Sequence, residues 1–194
     1  MQRELEVSET QADLIDTMAE ERLKRRPLSY IVGESEFYGR QFKVGSGCFI
    51  PRPETELLVE EVLNLCPNAK FFADWCTGSG CIGISILLES PNTFGYGIDS
   101  SPEALKWTKK NLELYSLSDR FFLLNQSDPS KCNIRKNSLD FIISNPPYIP
   151  SSLVNGLMID VLNYEPNEAL DGGVEGLDVL VKIIKTAPNF LKPN

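Results

Sequence analysis

Asn145-Pro146-Pro147-Tyr148 is the segment whose residue types and spacing point most directly to chemistry. It follows Leu139-Asp140-Phe141-Ile142-Ile143-Ser144, which reads as a strand. Asn145 offers an amide oxygen. Neither proline has an N–H, so the backbone presents carbonyl acceptors with few competing donors. Tyr148 adds a flat ring with a polar tip. Together these groups can grip a planar NH2 group by its two hydrogens and leave the nitrogen lone pair aimed at an electrophile. The same residues also fit a plain proline-rich turn after a strand. What surrounds them decides between the two.

The flanking pattern supplies a scaffold. Apolar Leu14, Ile15, Met18 and Leu23 predict a helix over 10–24, and 34–37 with 41–44 predict a hairpin joined at Gly39-Arg40. Ile50-Pro51-Arg52-Pro53-Glu54-Thr55-Glu56 is a rigid turn, followed by a helix with Leu58, Val62 and Leu65 on one face. From Lys70 onward strands and helices alternate. Strands are predicted at 71–75, 94–98, 120–125 and 139–144. The helix at 82–88 is apolar all round and must be buried. Ser101 caps the next helix, with Pro102 at its first position and Leu105, Thr108, Leu112 and Tyr115 along one side. Leu177, Leu180, Ile183, Ile184 and Ala187 line a last helix. Strands joined by crossover helices imply an open, doubly wound parallel α/β sheet with ligands beyond its carboxyl ends.

The polar residues cluster at those ends. Asp74 and Cys76-Thr77-Gly78-Ser79-Gly80 follow the first of these strands. Glycines there let backbone approach a ligand, although such a turn can also serve only to pack helix on strand. Asp99 closes the second strand and suits two ribose hydroxyls, unless it caps the following helix. Asp128 follows the third and is expected near an adenine edge, although Asp128-Pro129-Ser130 is also a good turn. Gly78, Gly80 and Gly83 loosely match a dinucleotide fingerprint. S-adenosylmethionine is preferred, because Asn145 to Tyr148 have a task beside a methyl donor and none beside a hydride.

Composition removes other chemistries. The 194 residues contain no histidine, which excludes Ser-His and Cys-His catalysis and His-ligated metals. The five cysteines form no CxxC pair, so neither a zinc site nor a disulfide framework is expected, and reduced thiols of a cytoplasmic protein fit best. The net charge of −8 argues against direct binding of duplex nucleic acid. No apolar run is long enough for a bilayer, and Met1 to Val7 is acidic and unlike a signal peptide.

These residues resemble the release-factor glutamine methyltransferases, the PrmC/HemK family. The matching stretches are Arg26–Gly33, Phe49-Ile50-Pro51-Arg52-Pro53-Glu54-Thr55-Glu56, Asp74–Gly80, Asn145–Ile149, Tyr164-Glu165-Pro166 with Ala169-Leu170, and Gly172-Gly173 with Gly176-Leu177. The resemblance implies a class I S-adenosylmethionine-dependent methyltransferase domain, Rossmann-like, with an N-terminal helix and a β-hairpin linker. It implies four parallel strands in the order 3-2-1-4. Remnant helical domain, linker and methyltransferase domain would occupy 1–29, 30–50 and 51–194. The implied partner is a class I peptide-chain release factor, methylated on the glutamine of its Gly-Gly-Gln motif. Asp74, Cys76, Thr77, Gly78, Gly80, Asp99, Asp128 and Asn145 would hold the cofactor. Asn145 and the Pro146 carbonyl would hold the glutamine amide, with Pro147 and Tyr148 beside it and Pro51, Arg52, Pro53 and Glu54 at the mouth. No metal is implied. Cys76 stands where the family usually has glycine, so its thiol is expected to crowd the cofactor's methionine part. The chain is expected to be a fragment, with the Ile142 side of the sheet uncovered. The rival readings are an adenine-amino methyltransferase of nucleic acids, a cofactor-binding protein without turnover, and a dehydrogenase.

Overall fold

The computed structural model describes residues 8–193, so the acidic start Met1 to Val7 and Asn194 lie outside the described residues. Helix α1 spans Glu9–Leu23 and α2 spans Leu28–Val32. Ser8 caps α1: its hydroxyl accepts from Gln11 N while the Gln11 side chain accepts from Ser8 N, a reciprocal capping box. None of the residues of α1 is buried, and Leu14, Ile15 and Leu23 face solvent. The helix is tied down by polar contacts instead. Arg22 and Arg25 reach Asp160, and the Tyr164 hydroxyl donates to the Lys24 carbonyl.

Strands β1 (Glu34–Phe37) and β2 (Arg40–Lys43) form the hairpin. Its turn is Tyr38-Gly39, one residue earlier than the sequence suggests, with φ of 52° and 67°. Two left-handed residues match the twist of flanking strands in a two-residue turn. A tyrosine gives little warning of that conformation. The hairpin is a sheet of its own, but Phe37 and Phe42 are buried in the main core.

The rest is the predicted α/β unit. Helix α3 (Glu56–Leu65) leads to β3 (Phe71–Trp75), α4 (Cys81–Glu89), β4 (Phe94–Asp99), α5 (Pro102–Leu114), β5 (Phe121–Asn125) and β6 (Phe141–Ser144). The sheet is parallel, in the order β5-β4-β3-β6, which is the expected 3-2-1-4. Short helices α6 (Ser151–Val154) and α7 (Ile159–Leu162) and the longer α8 (Asp178–Thr186) follow.

Side chains alternate across this sheet as the pleat requires. Phe72, Phe141 and Ile143 face α3 and α4; Ala73, Trp75 and Ile142 face α8. Phe72 stacks on Phe141 at 5.1 Å and on Phe121 at 6.0 Å. That stack exists because Gly95 and Gly97 leave room: a Cβ at either would sit 2.5 Å or 2.6 Å from a phenylalanine ring. Helix α4 is buried from Cys81 to Leu87, as its composition demands. In α3 the inward residues are Val59, Leu58 and Val62, whereas Leu65 is exposed. In α8 Ile183 is buried, while Leu177 and Ile184 are exposed.

The Ile142 side of the sheet, expected to be uncovered, is packed. Ile142 packs against the cluster that holds Ile183 and Phe190. At the strand's start Leu139 bridges Leu191, and Lys192 N donates to the Leu139 carbonyl. Beyond that point the outer edge of β6 has no ladder partner among the described residues.

Candidate active site

A cleft opens at the carboxyl ends of β3, β4 and β6, walled by the turn after β3, by Asp99, and by Asn145 to Ile149. The turn after β3 is held from behind by Asp74. This carboxylate is fully buried, and one oxygen accepts from the Thr77 hydroxyl at 2.7 Å and from Gly83 N at 3.1 Å. The other oxygen has no hydrogen-bond partner among the described residues. Burial pushes the Asp74 pKa up to about 7, against the pull of those two hydrogen bonds. Asp74 therefore shapes the turn from behind and does not line the cleft.

The turn is strongly bent. Cys76, Gly78 and Gly80 all have left-handed φ, at 61°, 58° and 82°. For Cys76 that conformation is sterically unfavourable. The thiol lines the cleft, and burial raises its pKa to about 12, so it stays protonated. A Cβ on Gly78 would meet only the Cys76 carbonyl at 4.0 Å, so its backbone is open for close approach. Gly80 lies outside the lining, and a Cβ there would press on Thr108 of α5 at 2.6 Å. Asn111 of α5 also pins this turn. Its amide nitrogen donates to the Ser79 and Lys43 carbonyls, and its oxygen accepts from Lys43 N.

Asp99 reaches across the cleft. One carboxylate oxygen accepts from Gly78 N and the other from Ser101 N, both at 2.9 Å. Each oxygen keeps a free lone pair for a hydroxyl. Burial raises its pKa, opposed by those N–H groups. Capping of α5 falls to the Ser101 side chain, which accepts from Ala104 N. Asp128 is placed differently from the expectation. Its carboxylate accepts from Ser130 N and Oγ at the surface, and those bonds lower its pKa. Gln126, Ser127 and Pro129 line the cleft there in its place.

Asn145 stands at the end of β6, and its Nδ2 donates to Thr55 Oγ1 at 3.3 Å. Its Oδ1 remains for another donor. Among the described residues no hydrogen bond reaches the Pro146 carbonyl. Pro147 also lines the cleft, and Tyr148 lies at the mouth with 64% of its surface exposed. The segment is braced from outside: Ile149 N donates to the Leu170 carbonyl, and Gly172 N to the Ile149 carbonyl. A Cβ on Gly172 would fall 2.7 Å from the Pro147 carbonyl, and one on Gly176 would fall 2.3 Å from the Tyr148 carbonyl.

The opposite lip is the strap 49–55. Pro51, Arg52 and Thr55 line the cleft, while Pro53 and Glu54 are exposed beside it. Glu165 holds the strap. Its carboxylate accepts from Ile50 N at 3.0 Å and from the Arg52 guanidinium at 2.5 Å, and Arg52 lies over the Phe49 ring at 4.5 Å. Thr55, Asn111, Glu165, Gln126 and Ser127 carry no local chemical signature that would mark them in advance.

This arrangement fits S-adenosylmethionine. The open Gly78 backbone offers a cradle, and each Asp99 carboxylate oxygen has a spare lone pair for a hydroxyl. The fold and cleft define an S-adenosylmethionine-dependent methyltransferase domain. A family model described as "Methyltransferase small domain" matches residues 53–171. Among solved structures, a putative sarcosine dimethylglycine methyltransferase from Galdieria sulphuraria shares the fold at 15% identity and a TM-score of 0.50, over 73% of this chain and 42% of that one. Curated relatives narrow the class. A release factor glutamine methyltransferase of Thermodesulfovibrio yellowstonii is 40% identical over 96% of this chain and 67% of its own length. One of Clostridium acetobutylicum is 39% identical over 98% of this chain and 68% of its own. The chain belongs to the release factor glutamine methyltransferase family. It spans between 40% and 68% of the length of the curated relatives it matches. No helix among the described residues is long and apolar enough to cross a membrane.

Proposed function

We propose that this protein methylates the side-chain amide nitrogen of the glutamine in the Gly-Gly-Gln motif of a class I peptide-chain release factor. The observation that carries this reading is a pair of acceptors, Asn145 Oδ1 and the Pro146 carbonyl, with no hydrogen bond among the described residues, on two residues that line a cleft whose other wall is the Asp99–Gly78 turn. The names of the curated relatives support it. Asp99, the backbone of Thr77 and Gly78, and the wall at Gln126 and Ser127 are the groups suited to the cofactor. When bound, S-adenosylmethionine supplies an electrophilic methyl group on a sulfonium.

The chain's residues must then overcome a weak nucleophile, because an amide lone pair is delocalised into its carbonyl. Asn145 Oδ1 and the Pro146 carbonyl accept the two amide hydrogens and fix the nitrogen's direction. As positive charge grows on nitrogen, both acceptors stabilise it more than in the ground state. Fixed orientation alone removes up to roughly 7–11 kcal/mol of barrier in the best cases. Tyr148 packs at the edge of the amide plane, and the last proton leaves to water. No histidine exists to serve as a base, and this scheme needs none before transfer.

The test is transfer of labelled methyl from S-adenosylmethionine to a release factor carrying Gly-Gly-Gln. Label should vanish when that glutamine is changed. Asn145→Ala should abolish transfer with cofactor affinity nearly intact. Efficient labelling of DNA at physiological salt, or transfer by Asn145→Ala within a few-fold of wild type, would overturn the reading.

A further inference from the structure

We infer that Thr108 of α5 is a positioning residue for the cofactor: its hydroxyl holds the Gly78 carbonyl, and so sets the plane of the Gly78–Ser79 peptide with the Ser79 N–H turned away from α5. The inference rests on the reading of the turn after β3 as the cofactor's cradle. Three successive peptides of that turn are each held by one side chain. Gly78 N donates to Asp99 Oδ2 at 2.9 Å, Thr108 Oγ1 donates to the Gly78 carbonyl at 2.7 Å, and Asn111 Nδ2 donates to the Ser79 carbonyl at 2.9 Å.

The direction of the middle bond is fixed, because a carbonyl can only accept. The other group within reach of the Thr108 hydroxyl is the Ala104 carbonyl at 3.3 Å, again an acceptor and the longer contact. Thr108 is fully buried, so water does not compete for the proton. Packing does not fix this peptide. A Cβ on Gly78 would meet nothing closer than the Cys76 carbonyl at 4.0 Å, and a glycine backbone has the widest choice of conformations. The hydroxyl is what selects one of them. A trans peptide is planar, with its N–H opposite its C=O. Tying the Gly78 carbonyl to α5 therefore points the Ser79 N–H the other way. That N–H has no partner among the described residues, and Ser79 lines the cleft. Thr108 does not line the cleft, so it acts on a ligand there only through this peptide.

Thr108→Ala and Thr108→Ser both lack the methyl group and differ only in the hydroxyl. By calorimetry, Thr108→Ala should raise the S-adenosylmethionine dissociation constant about three- to tenfold over Thr108→Ser, the factor set by one neutral hydrogen bond. Thr108→Ser should stay near wild type, and kcat at saturating cofactor should be unchanged in both. In 15N–1H spectra the Ser79 backbone amide should shift in Thr108→Ala and hold in Thr108→Ser. Thr93 supplies the control for stability alone: its buried hydroxyl donates to the Ala69 carbonyl at 2.8 Å just before β4, at the end of the sheet away from the cleft. Thr93→Ala should lose comparable stability in urea and leave the dissociation constant unmoved. Equal constants in Thr108→Ala and Thr108→Ser, a Ser79 amide signal that is the same in both, or a rise in Thr93→Ala as large as that in Thr108→Ala would each overturn the role. Absence of S-adenosylmethionine binding by the wild-type protein would instead sink the cofactor reading, and the Ser79 comparison would still decide what Thr108 does to the turn.

Discussion

Replacing Glu165 by alanine tests how the strap 49–55 is held. The Glu165 side chain is 2% exposed, and it satisfies a buried backbone N–H at Ile50 and the guanidinium of Arg52. Alanine leaves the Ile50 N–H without a partner, which costs about 1–3 kcal/mol. The Arg52 contact is charge-assisted and would count for about 1.5–3 kcal/mol if sealed from water. It is not sealed, since the Arg52 side chain is 32% exposed and keeps its bond to the Ile50 carbonyl and its place over Phe49. Rehydration therefore recovers much of that loss. The sum is about 2–4 kcal/mol, or a fall in Tm of about 5–15 °C for a domain of this size. Ile50 N and Arg52 use different oxygens of Glu165, so Glu165→Gln keeps an acceptor for Ile50 N but sets its NH2 group against the Arg52 guanidinium, which can turn to solvent; about 1–2 kcal/mol should be lost, less than in alanine. Urea denaturation of the three proteins measures both, with an unchanged slope showing that only stability moved. A Glu165→Ala protein within about 0.5 kcal/mol of wild type, the range of ordinary surface changes, would refute the clamp. So would equal losses in Ala and Gln.

Three other perturbations have defined outcomes. Asp99→Ala should raise the S-adenosylmethionine dissociation constant about ten- to hundredfold, since a charge-assisted hydrogen bond is lost; an unchanged constant by calorimetry removes the ribose assignment. Cys76→Gly should be more stable than Cys76→Ala by about 0.5–1 kcal/mol, because a left-handed φ costs an L-residue about 1–2 kcal/mol and glycine's unfolded-state freedom returns part of that; equal midpoints in urea would show that the turn is not strained at Cys76. Burial lifts Asp74 to about 7, above the ~3.9 of an unfolded chain, so between these values the native state holds a proton that the unfolded chain lacks. Its contribution is thus complete below about pH 4 and is lost as pH rises through about 7, at up to about 1.4 kcal/mol per pH unit. Asp74→Asn should flatten that slope in stability against pH, and an unaltered slope would assign the titration elsewhere.

What the sequence makes legible follows from how far each interaction reaches. The strands are readable because burial on both faces imposes continuous apolar runs such as Phe141-Ile142-Ile143. The turn after β3 is readable because glycine is the residue that tolerates the left-handed backbone of Gly78 and Gly80. Asp99 is readable because its position at a strand's carboxyl end is fixed by the same count. The misplacements are local ambiguities. Tyr38 takes a left-handed φ that favours glycine or asparagine, so the hairpin turn shifts by one residue. Asp128 fits a turn as well as a ligand, and Ser130 claims it. The exposed apolar residues of α1 show that periodicity alone does not say whether a partner surface is present.

Thr55, Asn111 and Glu165 belong to a different kind of information. Each is an ordinary polar residue whose meaning comes from a partner 68 to 115 residues away. No window of sequence contains both ends of such a bond. The glycines at Gly172 and Gly176 lie between the two cases. As letters they mark only a loop. In space they are what allows the 171–176 segment to lie directly on the backbone of Pro147 and Tyr148, where any side chain would collide with the carbonyls of those two residues. Family resemblance finds these positions because the pattern recurs, but the close backbone approach is the physical reason glycine is required there. The segment from Asn145 to Tyr148 and the strap facing it are thus held by three supports of different visibility: the legible strand β6, the half-legible glycine brace, and the Thr55 and Glu165 contacts, which only the folded chain brings together.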